Sequence, residues 1–228
     1  MSTNSSFAKF LRFIGIVLMA LTGGFTLLGG IGTTCAALAP TNFGSMAALA
    51  PFQWLYILFV LTGIAIGVMG IRATVMLIKG ADKSYSDAMI ALIAGVVVGF
   101  MHIMMSRSLR GSSMPVDAVV YTTVLTLVIF LLFKIPAVWQ GVDFAKAKAN
   151  KNKPAGGVAA IILGILTLTI QYTMGATHTW GGVNYADAFN TSMTAAGIGL
   201  LLLGAALFVQ WTKVRRFLQI QKDTIVPA

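Results

Sequence analysis

Glutamate is absent from this chain, and its six acidic residues are all aspartates. There are two histidines, His102 and His178, and one cysteine, Cys35. A single cysteine forms no intrachain disulfide and no cysteine metal cluster. Charged residues make up 10% of the chain, against about 25% in an average soluble domain. H-E-x-x-H, G-x-S-x-G and G-x-x-x-x-G-K-[ST] do not occur, so zinc hydrolysis, a nucleophile elbow and P-loop phosphate binding lose their usual supports. The long apolar stretches carry no acid near their centres, which removes the groups that intramembrane proteolysis or proton-coupled transport would use. The chain is read as a non-enzyme with no resident cofactor.

What fills the sequence is apolar. Hydrophobic residues account for 57% of it and mean hydropathy is +0.88. Runs long enough to cross a hydrocarbon core of about 30 Å recur along the whole length. They predict an all-α, polytopic membrane bundle: one domain of six spans at about 13–31, 54–71, 88–105, 118–133, 157–174 and 192–211. The run beginning at Phe13 follows Lys9 and Arg12 like a signal peptide, but its length and the lack of a cleavage site favour a retained span.

The charge pattern orients the spans. Of 16 Lys and Arg, Arg107 and Arg110 fall at one surface and the other 14 at the opposite surface or its loops. Lys and Arg in short loops are held on the cytoplasmic side. The bias therefore predicts three hairpins with outward tips and both termini in the cytoplasm, in a plasma (inner) membrane. Phe144 to Pro154, with Lys146, Lys148, Lys151 and Lys153, reads as a cytoplasmic loop too polar to be buried. With Arg215 and Arg216 it forms a basic surface suited to anionic lipid. The formal charge of +10 is assigned to this bias and not to nucleic acid. Trp54 and Tyr56 open the second span as an aromatic belt, and Met46 to Ala50 read as a short interfacial helix.

Glycine gives the packing signal. Gly63-x-x-x-Gly67 and Gly95-x-x-x-Gly99 place small residues one turn apart, the pattern that brings membrane helices together. Mid-span Thr hydroxyls are expected to bond back to their own helix. Arg107 and Arg110 could hold an anion, but Asp117 nearby favours a surface ion pair.

The most distinctive cluster is Met101, His102, Met104 and Met105. Thioether and imidazole groups suit Cu(I), and imidazole ligates haem; His102 and His178 fall near one surface. The structural alternative weighs more: His102 bonds one ring nitrogen to a backbone carbonyl or Thr hydroxyl and sits in a Met-filled gap. Three functional readings follow. The first is a non-catalytic protein working through helix–helix contact, as an accessory subunit of a membrane complex or a homo-oligomer. The second is a small-molecule channel or transporter. The third is a cofactor-bearing subunit using His102.

Overall fold

A computed structural model describes residues 2–42, 44–146, 149–173, 175, 179–180, 182–184, 187 and 189–209. The first helix, α1, runs Ser6–Leu38 and is capped by Ser5, whose hydroxyl accepts the amide hydrogen of Ala8 at 3.2 Å. It outruns the apolar stretch at both ends because no proline interrupts it before Pro40. Two short 3-10 segments, Pro40–Asn42 and Gly44–Phe52, then lead into α2, Gln53–Lys79. The short helix expected at Met46 to Ala50 is thus part of a longer 3-10 segment that buries Leu49.

Gly80 ends α2 in the left-handed region at φ 68°, a conformation that glycine adopts without steric cost. The polar turn is shorter than the sequence implies, since α3, Ser84–Arg110, starts at once. Helix α4 covers Val116–Phe133. Just past that helix, Pro136 starts a separate short helix α5, Pro136–Val142, where a proline in the first turn forfeits no hydrogen bond.

Helix α6 occupies Ala149–Thr173 and α7 Asn190–Phe208. A two-residue antiparallel pairing, Thr179 with Asn184 and Trp180 with Val183, lies between them. The architecture is all-α, and among the described residues six helices are long and apolar enough to cross a membrane.

The early start of α6 corrects the reading of Phe144 to Pro154 as a loop too polar to be buried. Phe144 is buried in the core. Asn152 is buried too, because its amide donates to the Leu77 carbonyl at 3.2 Å. A polar side chain can be buried when it finds a hydrogen-bond partner, here a carbonyl in the last turn of α2 that also accepts from the Gly80 amide.

Helices α1 to α4 form a ring in which α1 and α3 each pack between α2 and α4. Helix α6 lies against α1 and α2, and α7 rests essentially on α6. Two hydrophobic cores stabilise the ring. One holds Met19, Leu77, Leu92, Phe130, Phe133 and Phe144. The other, at the opposite end, holds Leu49, Tyr56, Phe59 and Val60.

Candidate functional site

Four glycines bring α1 and α2 together along an antiparallel seam. A methyl group on Gly67 would stand 2.6 Å from the Leu27 backbone, and one on Gly70 2.8 Å from Gly23 Cα. One on Gly30 would stand 2.9 Å from the Ile64 amide nitrogen. On the other side of the ring, α3 meets α4 through Gly95, 3.2 Å from Thr123 Cγ2 by the same measure, and through Gly99, which lies against Val120. Gly63 differs from its neighbours: a methyl group there would stand 3.5 Å from Gly30 Cα, an ordinary contact.

Close backbones at these seams also leave the bundle axis short of side chains. Between the four helices lies a cavity of about 60 Å³. Its walls are glycines and aliphatic groups, with Thr26 and Thr33 from α1, Thr123 from α4 and His102 from α3 as the polar members. Gly63, Gly95 and Gly99 all line it, whereas Gly67 belongs to the seam alone.

His102 faces inward at one end of this space. Its ring stacks on Phe59 with centroids 4.5 Å apart, and the edge contact with Tyr56 spans 5.4 Å. Tyr56 is in turn fixed by a 2.9 Å hydrogen bond to Ser106. The belt role expected of Tyr56 is therefore corrected: Trp54 is exposed, while Tyr56 is buried because Ser106 satisfies its hydroxyl. The hydrogen-bond partner expected for His102 is also missing. Among the described residues neither of its ring nitrogens is hydrogen-bonded, and the same holds for the Thr26 hydroxyl.

The methionines do not join His102. Met101 and Met104 are exposed on the outer face of α3, and Met105 packs into the core around Tyr56. His178 lies outside the described residues. Among the described residues no group of three His, Cys, Asp or Glu could hold a metal ion.

Beyond the His102 end, Arg107 and Asp117 form the ion pair at 3.2 Å. Ser113 sits between them, accepting from Arg107 Nε at 2.9 Å and donating to Asp117 at 2.6 Å. This pins the α3–α4 turn. Below the cavity the axis narrows, and the Thr22 and Thr126 hydroxyls meet at 2.8 Å. Phe130, Phe133 and Phe144 then close it.

At that closed end Arg12 departs from its expected role as a span-end cation. It is only 2% exposed. Its guanidinium donates to the Gly141 carbonyl at 2.6 Å and the Thr3 carbonyl at 2.8 Å, while Nε has no partner among the described residues. The side chain faces α5 and so reaches the carbonyls that end that helix, where a cation is favoured.

Lys146 pairs with Asp143 at 3.1 Å. Lys151 and Lys153 stand in the first turns of α6, the latter exposed. Lys148, Arg215 and Arg216 lie outside the described residues. The seam glycines carry a visible motif, whereas the Phe59–His102–Tyr56 stack carries none. Its members lie far apart along the chain on the consecutive helices α2 and α3, and the pairing of those helices joins them.

No family model, curated protein or solved structure matches this chain.

Proposed function

We propose that this protein is a non-catalytic integral membrane protein that works through helix–helix contact, as an accessory subunit of a membrane complex or as a homo-oligomer. The observation that supports this reading is the uneven use of its helices. The apolar stretch of α7 is 11% buried, against 44% for those of α1 and α6. A helix that spends so little of its surface on its own chain offers the rest to lipid or to other helices. In this reading the protein lies in a plasma (inner) membrane with both termini cytoplasmic. Lys146, Lys148, Lys151, Lys153, Arg215 and Arg216 then meet anionic lipid.

Purification in a mild detergent with mass spectrometry tests the functional reading. Stoichiometric membrane partners or a defined homo-oligomer are the expected result, and a bare monomer across several detergents would overturn it. Orientation is tested by cysteine accessibility in a Cys35→Ser background. A cysteine at Asn150 should resist an impermeant reagent applied to intact cells.

The cavity favours a second reading, a channel or transporter for uncharged solutes. Among the described residues its lining has no charged group, and the aromatic plug beyond Thr22 would have to move for passage. Solute flux into liposomes containing the isolated chain would support it.

A further inference from the structure

We infer that the cavity inside the α1–α4 ring is a binding site for one small uncharged molecule that has a hydrogen-bonding group and a short apolar part. This goes beyond the helix-contact reading and does not depend on it.

The polar chemistry comes first. His102 and Thr26 line one cavity, both half-buried and with no hydrogen bond among the described residues, so each has a polar group free to meet a ligand there. A neutral imidazole presents one donor and one acceptor, so it can bind a hydroxyl group, a carbonyl or a primary amide. Phe59 and Tyr56 hold the ring from two sides. The recognition group is therefore positioned before any ligand arrives, which limits the ordering cost of binding.

The walls define the remainder of the ligand. Among the described residues no Asp, Lys or Arg lines the space, so a charged molecule would enter without a counter-charge there and lose its hydration. Gly29, Gly63 and Val119 offer only apolar surface. Size follows from volume. An apolar cavity of about 150 Å³ accepts benzene, so the 60 Å³ here suits roughly two to four non-hydrogen atoms. Access is available because Thr33, Gly63 and Val119 are only partly buried.

A series of straight-chain alcohols tests the site in the full chain, reconstituted in phospholipid nanodiscs with ring-15N histidine. The sequence contains only two histidines, so a His178→Gln variant assigns the spectrum and His178 serves as an internal control. The alcohols are methanol, ethanol, 1-propanol and 1-hexanol. Partition into lipid grows steadily with chain length, whereas a site of about 60 Å³ favours the short chains that fit it. The expected result is a saturable shift of the His102 ring signals that is strongest for ethanol or 1-propanol and lost for 1-hexanol. His178 should not follow it.

The companion variant is Gly29→Ala combined with Gly63→Ala. The two added methyl groups would stand 3.6 Å from Val119 and 3.5 Å from Gly30, so they fill the cavity without forcing the helices apart. Apparent affinity at His102 should fall at least tenfold while the melting temperature holds. An absent or non-saturating response overturns the inference, as does one that keeps rising to 1-hexanol. So does a response unchanged in a double variant that melts normally.

Discussion

Helices α6 and α7 approach each other as closely as α1 and α2 do, yet α1 and α2 also share hydrogen bonds with the other helices of the ring. In the α6–α7 pair, a methyl group on Gly164 would stand 2.9 Å from the Gly197 carbonyl, and one on Gly157 3.0 Å from the Gly204 carbonyl. Large apolar side chains, among them Leu168, Leu201 and Phe208, pack onto the same glycines. The ring adds hydrogen bonds between its helices: Thr22 to Thr126, Tyr56 to Ser106, and Tyr85 to the Phe130 carbonyl at 2.7 Å. Among the described residues no side-chain hydrogen bond joins α7 to another helix. Close approach yields dispersion energy with whichever smooth partner is near, while a hydrogen bond requires one particular neighbour. The ring is thus specified helix by helix, and among the described residues α7 is attached by apolar fit.

The largest effect should come from breaking the ring's seam. Gly67→Leu drives a side chain into the Leu27 backbone, 2.6 Å from where its Cβ would lie, and a backbone cannot rotate aside. Overpacking of this kind costs about 3 kcal/mol, so the melting temperature in detergent should drop sharply. Leu61→Ala, at a position 61% exposed, should leave it nearly unchanged. Equal small effects from the two would show that the seam does not carry the ring's stability.

Next in size is Arg12→Ala, which leaves the Gly141 and Thr3 carbonyls without their charged donor. A loss of about 2 kcal/mol is expected for a buried, charge-assisted pair of this type. Arg12→Lys should restore only part of it, since one ammonium group does not reproduce the planar fork. Full rescue by lysine would mean that positive charge alone matters there.

Gly197→Leu separates the two regions directly. Its Cβ would lie 2.6 Å from the Leu168 side chain and 3.1 Å from the Gly164 carbonyl. The substitution should make α7 accessible to protease while the ring's thermal transition stays where it was. A transition that falls together with α7 release would show that the regions fold as one unit. Gly199→Leu, in open space, is the matched control and should do neither.

The smallest effect belongs to Thr22→Val. Thr126 already donates to the Thr122 carbonyl, so Thr22 is the donor in their shared bond, and Thr126 keeps a partner when it is lost. Interhelical bonds of this kind average about 0.6 kcal/mol in membrane proteins. A shift of that order in a denaturant titration is expected; a shift as large as that of Gly67→Leu would give the hydroxyl pair a far greater share of the ring's stability.

Much of this fold is legible in the amino-acid sequence. Apolar runs of sufficient length locate all six long helices, because backbone satisfaction in lipid leaves a single chain few alternatives to helix. Mid-span Thr62, Thr123 and Thr167 bond to their own helix, to the Leu58, Val119 and Leu163 carbonyls, as their local chemistry implies. Helix ends are less legible. Hydropathy marks the width of the apolar band, but α1 and α6 extend beyond it. Arg12, Tyr56 and Asn152 escape a reading by polarity for one shared reason. Each is polar enough to suggest a surface, and each finds a partner supplied by another segment: Gly141, Ser106 and Leu77.

Composition and spacing alone determined the class of molecule, the number of long helices and which of their positions are small enough for close approach. Those properties depend on single residues and their near neighbours along the chain. Tertiary structure decided that the glycines of α1 and α2 face one another, that His102 turns inward while Met101 and Met104 turn outward, and that a space remains at the axis. Each of these depends on which helix stands beside which. A helix carries several faces of similar hydropathy in an apolar sequence, and only the packing of one against its neighbours selects among them.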